Sequence, residues 1–284
     1  MRKLLRGKPV AEAIAAAAHK RADILREGGI IPALAVVRVG DNPGDLAYER
    51  TILKHAEAAG VEVRTVSLDA DASQDVLSVV ICQINEDPSV HGCLLMRPLP
   101  AHIDEAAVCE LLDPRKDIDG ITRASLASVF AGSGDGFAPS TADACIRMLD
   151  FYNVPLDGRR AAVVGRSLVV GKPLSMLLLA RNATVTMCHS HTGNLDAITR
   201  GADVVVCAVG KARAFDQRFF SADQTVLDVG INFDEGGAMC GDVHADSVES
   251  LVTALSPVPG GIGSVTTAVT LDHVVTAAER ASLN

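Results

Sequence analysis

Two kinds of apolar pattern alternate along the chain: residues spaced as one face of a helix, and short blocks that are apolar nearly throughout. Val10 to Leu25 has the helical spacing. Pro32 to Val39 reads as a strand buried on both faces, because Ala, Leu and Val run together between turn signals. A helix over Asp45 to Ala59, a strand over Val61 to Leu68, a helix over Ser73 to Asn85, a strand over His91 to Met96 and a short helix after His102 continue the series. Such alternation predicts helices covering a largely parallel sheet, and hence an α/β fold.

The glycine-rich stretch AGSGDGFAP, Ala131 to Pro139, breaks the series, and a helix over Thr141 to Tyr152 bridges into a second α/β region. Four short strands are expected there, at Arg160 to Val164, Ala183 to Met187, Ala202 to Val206 and Thr225 to Val229. A final helix, Val265 to Ala281, is expected to pack back across the first region. The pattern therefore predicts two domains: residues 1–137 completed by a C-terminal helix at 262–284, and a compact nucleotide-binding unit at 138–261.

Composition narrows the function. Apolar residues make up 48% of the 284 residues, enough for real cores. Aromatic residues are only 3% and the formal charge is −9, so neither base stacking nor a general nucleic-acid surface is supplied. The seven cysteines are scattered without a CxxC, which reads as reduced core thiols and gives no metal site. MRKLLRGKPV lacks a long apolar region and no unbroken apolar span follows, so no membrane association is expected and the cytoplasm is the expected compartment.

The most informative motif is GRSLVVGKP, Gly165 to Pro173, between the strand-like RRAAVVG and a helix-like segment. Glycine at a strand end and again at a helix start permits a tight turn, leaving backbone amides free for a phosphate. Its glycines are six positions apart, unlike GxGxxG, so the order of strand, turn and helix carries the reading; a merely structural loop is the alternative. Gly165, Arg166, Ser167, Val170 and Gly171 are the candidate phosphate-side residues. The next strand ends in Cys188-His189-Ser190, with no carboxylate to accept ribose hydroxyls or repel a 2′-phosphate, and Arg166 is available as a bidentate partner. NADP is therefore favoured over NAD, with Arg166 read either as a 2′-phosphate ligand or as a solvated arginine. His189 and Ser190 are further candidates, His189 reading equally well as a structural histidine. Ala208, Val209 and Gly210 in CAVGKA, and Gly230 and Ile231 in DVGIN, end candidate strands at the rim where such folds bind ligands. PVPGGIGSVTT, Pro257 to Thr267, is a rigid turn suited either to approaching a flat ligand or to a purely architectural crossover.

GRSLVVGKP, TVTMCHSHT, DVGIN, GDV and PVPGGIGSVTT, with AVVRVGDNPGDLAY, RPLPAHID and KDIDG, resemble the methylenetetrahydrofolate dehydrogenase/methenyltetrahydrofolate cyclohydrolase family, also called the bifunctional FolD family. The resemblance spans nearly the whole chain. It implies a homodimeric two-domain enzyme with a folate-side catalytic domain and a Rossmann-like NADP domain. In that family a tetrahydrofolate one-carbon derivative lies in the cleft between domains, its methylene bridge is oxidised with NADP, and the methenyl product is hydrolysed to 10-formyltetrahydrofolate.

On this resemblance Tyr48 is the tyrosine of the family's YxxxK helix, and Asp119 is the second aspartate of KDxDG, which orients the pterin ring; a half-buried tyrosine and a loop-stabilising aspartate are the plainer readings. Thr141, Pro98, Leu99, Pro259 and Gly260 match further substrate-side positions. Three positions depart from the family: its lysine is Ile52, the glutamine of VQLPLP is Met96, and a serine is Asp45. Lys54 lies about 200° around the helix from residue 52 and is a poor replacement. Arg97, next to Met96, points to the opposite face of a strand. Hydride transfer chiefly needs two positioned molecules, whereas hydrolysis needs protons moved, which Ile52 and Met96 cannot do. The expectation is an NADP-dependent dehydrogenase with weak or absent cyclohydrolase activity. A bifunctional enzyme using Asp45, Lys54 or Arg97, a drifted substrate, and a noncatalytic NADP-binding homologue are the alternatives.

Overall fold

In the computed structural model residues 3–283 are described, and the chain forms two compact units, one of residues up to Ala11 with Thr141–Thr266, the other of Glu12–Ser140 with the residues from Thr267 onward. In chain order the elements are β1 (Lys3–Leu4), α1 (Gly7–Glu27), β2 (Ala33–Val39), α2 (Pro43–Ala59), β3 (Glu62–Leu68), α3 (Gln74–Glu86), β4 (Gly92–Leu95), α4 (Glu105–Cys109), α5 (Arg123–Ala131) and α6 (Ser140–Phe151). There follow β5 (Arg160–Val164), α7 (Gly171–Ala180), β6 (Thr184–Cys188), α8 (Leu195–Arg200), β7 (Val204–Cys207), β8 (Thr225–Asp228), β9 (Asn232–Phe233), β10 (Met239–Cys240), α9 (Ala245–Val248), β11 (Ala254–Leu255) and α10 (Ile262–Ser282).

The unit around Glu12–Ser140 holds a parallel three-stranded sheet in the order β3-β2-β4. The near-continuous apolar run of β2 is explained by burial on both faces. Leu34, Val36, Leu94 and Met96 enter one apolar cluster with Ile52, Ile118 and Leu271, while Ala35, Val37, Cys93 and Leu95 enter another with Leu77 and Ile81. Local chemistry sets α2: the Asn42 side chain accepts from Gly44 N at its start, Pro43 fits the first turn, and Gly60 ends it in the left-handed region.

The other unit holds a parallel six-stranded sheet in the order β1-β11-β8-β7-β5-β6, the doubly wound arrangement the alternation predicts. Its first strand corrects the expected domain division. β1 pairs with β11, Gly7 N donates to Gly260 O at 2.7 Å and the Tyr152 hydroxyl donates to Arg6 O at 2.9 Å, so the chain start belongs with the nucleotide-type sheet and not with residues 12–137. Two residues of strand carry too little pattern to be read locally. The helix α5 and the hairpin β9–β10 were likewise unexpected. Six cysteines are buried, but Cys82 is exposed, a departure from core thiols throughout. Among the described residues no helix is long and apolar enough to cross a membrane.

Candidate functional site

In the three-stranded unit, the end of β4, the start of α2, the loop after α4 and the helix α10 bring the expected folate-side residues together. The Tyr48 hydroxyl shares hydrogen bonds with Thr267 and Thr270 of α10, and burial, reinforced by the Asp119 charge, pushes its pKa up to about 12. It is a neutral, held phenol. Asp119 is hydrogen-bonded to Ser140, and burial raises its carboxyl above the ordinary range while the Arg97 guanidinium opposes that rise. About a quarter of the Asp119 side chain, 25%, still faces out, so the carboxyl is reachable by a ligand.

KDIDG divides its two carboxylates between jobs. Asp117 is wholly buried and accepts from Ile121 N and Thr122 N at 2.9 and 2.8 Å, bracing the loop. Gly120, at φ +64, packs against the backbone of Phe137 to Pro139, where a methyl group would lie 2.6 Å from Pro139 N. Asp119 is thereby held between two fixed points.

Ile52 is fully buried and Met96 nearly so, both in the apolar cluster against which Tyr48 packs. Lys54 is exposed on another side of α2, as the helical angle requires. Burial raises the carboxyl of Asp45, in the first turn, with Arg38 opposing. Arg97 corrects the strand argument: its Nη2 lies 3.9 Å from Asp119 Oδ2 and its Nη1 3.5 Å from Glu105 Oε1. β4 ends at Leu95, so the alternation of a pleated strand does not extend to residue 97. Pro98 is exposed; Leu99 packs on the opposite apolar cluster and donates its N–H to Glu105 Oε2 at 2.9 Å. Thr141, Pro259 and Gly260 lie in the other unit, where the Gly260 carbonyl is committed to Gly7.

In that unit the six-residue glycine spacing has a direct cause. Gly165, at φ +141, passes so close to Ala208 O that no side chain fits, and a methyl group at Gly171 would overlap Gly165 O, so the loop closes on itself. The Ser167 hydroxyl accepts from Val170 N at 3.1 Å and the Ser167 carbonyl from Lys172 N at 3.0 Å. The amides of Val170 and Gly171 face Ser167, whereas those of Arg166 through Val169 make no protein hydrogen bond among the described residues and are the ones free for an anion. Arg166 is exposed at its edge. Gly165 N donates to Cys188 O at 2.9 Å, which sets this loop beside the end of β6. There His189 N donates to Thr192 Oγ1, His191 N donates to His189 Nδ1, and Ser190 is exposed.

The backbone amides of Val209 and Gly210, at the candidate rim, are already taken within the protein. Asp242 accepts from Val209 N at 2.6 Å, Gly210 N at 3.1 Å and Lys211 N at 2.8 Å, and from Asn232 Nδ2 at 3.0 Å. They can therefore meet a ligand only by surface or carbonyl. Asp228, beneath, accepts from Gly230 N, Asp242 N and Val243 N. Burial, together with the Asp242 charge, pushes Asp228 up to about 7 against those backbone bonds. A side chain at Gly230 would overlap the Asp242 carboxylate, and one at Gly241 that of Asp228. DVGIN and GDV are thus two halves of one clamp that fixes the rim; Ala208 and Ile231 flank it, Ile231 exposed. Free amides, an arginine without a partner among the described residues and no acidic residue at the end of β6 fit a phosphorylated dinucleotide.

Sequence reasoning missed Ser140, Thr267, Thr270 and the Asp228–Asp242 clamp. GDV and PVPGGIGSVTT contain some of them, but only the fold shows that they face Tyr48 or Asp228.

Residues 5–119 match the family described as tetrahydrofolate dehydrogenase/cyclohydrolase, catalytic domain, and residues 139–282 match its NAD(P)-binding domain. The chain is 43% identical over 282 residues to a protein named bifunctional protein FolD from Clostridium botulinum, covering 99% of this chain and 100% of that one. It superposes on the bifunctional FolD methylenetetrahydrofolate dehydrogenase/cyclohydrolase of Campylobacter jejuni with a TM-score of 0.96 at 34% identity, covering 99% of each chain. A Trypanosoma brucei methylenetetrahydrofolate dehydrogenase-cyclohydrolase, solved with NADP and an inhibitor, gives 0.93 at 29% identity over 100% of this chain and 99% of that one.

Proposed function

Because this chain belongs to the tetrahydrofolate dehydrogenase/cyclohydrolase family, we propose that it oxidises 5,10-methylenetetrahydrofolate to 5,10-methenyltetrahydrofolate with NADP and hydrolyses the product weakly or not at all. The observation that carries the second half is the buried apolar contact surface formed by Ile52 and Met96 beside Tyr48. The family resemblance marks these two positions for a lysine and a glutamine, and neither replacement can donate, accept or relay a proton.

The nicotinamide supplies the hydride acceptor. Arg166 and the amides of residues 166–169 hold the phosphates, and the Asp242 clamp keeps the rim in shape for the rest of the dinucleotide. On the folate side Asp119 accepts from the ring N–H groups and Tyr48 borders the ring. Positioning of this kind suffices for hydride transfer, because the folate nitrogen lone pairs assist departure of the hydride. Attack of water on the methenyl carbon needs a group that accepts and returns protons, and the cluster around Ile52 lacks one.

Full bifunctionality is the second reading, favoured by the names of the relatives and by the Arg97, Glu105 and Asp119 charges close to Met96. The test mixes protein, 5,10-methylenetetrahydrofolate and NADP, follows NADPH, and quantifies methenyl and 10-formyl products against an enzyme-free control. NADPH with methenyl decaying at the control rate supports the proposal; accelerated formyl product establishes the bifunctional reading, and no NADPH sinks both. We also propose a homodimer, supported by the free edge of β3 and the open groove of about 560 Å³ beside it, lined in part by Ile31, Leu53 and Val63; sedimentation at monomer mass would refute it.

A further inference from the structure

Among the described residues of the folate-side cluster, Arg97 is a half-buried charged side chain whose guanidinium donors make no hydrogen bond to the protein. Its Nε is buried without a hydrogen-bond partner, and its two ion-pair contacts, 3.5 Å to Glu105 and 3.9 Å to Asp119, are both longer than a hydrogen bond. The covered Nε–H is an idle donor that costs stability, while the side chain as a whole is 23% exposed and its two Nη groups keep donors that a ligand can complete. Glu105 is itself fixed, through Leu99 N, at the first turn of α4, so it restrains Arg97 without satisfying it. The neighbouring Asp119 keeps a reachable carboxyl, and the Arg97 charge favours its ionised form.

An acceptor and an idle donor fork side by side are complementary to a ring edge that offers donor, donor and acceptor in sequence. The pterin ring of a folate has that edge: the 2-amino group, N3–H and the 4-oxo group. Resting on the folate reading given above, we propose that Arg97 is a substrate-specificity residue that donates to the 4-oxo oxygen while Asp119 accepts from N3–H and the 2-amino group. Arginine suits this place better than lysine because its planar fork can face Asp119 and the carbonyl together. Met96 is buried in the apolar cluster, which leaves the polar reading of that edge to Arg97 and Asp119.

The probe pair is tetrahydrofolate and its 4-thioxo analogue, which keeps N3–H and the 2-amino group and replaces only the carbonyl oxygen with a poor acceptor. Binding of each to the full-length wild type, Arg97→Leu and Arg97→Lys is measured by calorimetry, with cooperative thermal unfolding of the whole chain by circular dichroism as the check that each variant is folded, because Arg97 and the nucleotide-type sheet belong to different units. The wild type is expected to prefer the oxo compound by roughly tenfold, the size of one hydrogen bond from a charged donor. Arg97→Leu should bring the two affinities within about twofold of each other, and Arg97→Lys should fall between. A folded Arg97→Leu that keeps the wild-type preference overturns the role of Arg97 and leaves the folate reading standing. If that variant does not fold, Arg97→Lys decides: a reduced preference supports the inference and a wild-type preference overturns it. Wild type that binds neither compound overturns the folate reading and this inference with it.

Discussion

Replacing Asp242 with asparagine tests whether the rim of the six-stranded sheet is held by one carboxylate. One Asp242 oxygen takes Val209 N and Gly210 N, the other takes Lys211 N and Asn232 Nδ2. Asparagine keeps the shape and one acceptor oxygen, but its amide nitrogen must face two donors whichever way it is turned. Two charge-assisted bonds are lost and two N–H groups are left opposite another N–H. At about 1.5–3 kcal/mol for each bond to a charged group the ceiling is about 6 kcal/mol. Gly210 is exposed and Val209 partly so, which lets water replace some of the loss, and the relief of repulsion with buried Asp228 offsets more. A net loss of about 2–3 kcal/mol is expected, lowering the melting temperature of this unit by roughly 5–10 °C. Thermal unfolding followed by circular dichroism measures it, with NADP titrated in parallel; on the proposed cofactor site the clamp supports the rim, so affinity should fall with stability. A variant within about 0.5 kcal/mol of wild type that binds NADP normally would refute the reasoning.

Asp228→Asn addresses pH. The folded carboxyl sits at about 7, above its ordinary value, so between about pH 4 and pH 7 the folded state holds a proton that the unfolded chain releases, and wild-type stability falls as pH rises through that window. The variant should be less stable overall, having lost an acceptor for Val243 N, but its unfolding free energy should decline less over the same window; parallel slopes would discount a raised Asp228. Gly171→Ala places a methyl group against Gly165 O and should weaken NADP binding by roughly tenfold or more while costing about 1–3 kcal/mol; calorimetry showing unchanged affinity would remove the loop from the cofactor site. Ile52→Lys puts an ammonium where no surface is exposed and should cost about 3–5 kcal/mol in urea unfolding, with Met96→Gln added to it recovering about 1 kcal/mol by supplying an acceptor. A single lysine variant as stable as the parent would show that the pocket still has room for the charge.

Most of the architecture follows from local pattern. Ala33–Val37 is apolar on both sides and had to be part of an interior parallel strand, Asn42, Pro43 and Gly60 mark the ends of α2, and the loop between β5 and α7 needs glycine at both of its ends. These are properties of a few consecutive residues, and the backbone enforces them wherever the segment sits. The motifs that identify the family, and the presence of apolar side chains at Ile52 and Met96, are equally sequence facts.

Other assignments depend on which segments meet. Lys3–Leu4 became a strand only because β11 offers it an edge, so no local pattern could move the chain start into the nucleotide-side unit. Val209 and Gly210 read from sequence only as rim residues at a strand end, and their amides are occupied by Asp242, more than thirty residues later. Arg97 appears to point away from the pocket under strict strand alternation, yet the strand stops two residues earlier and the side chain reaches Asp119. The sequence determines where hydrogen-bonding groups and charges are carried along the chain, because helix and strand periods are local. Only the tertiary structure decides which donors are already used and which stay idle, because that count depends on partners brought together from distant positions.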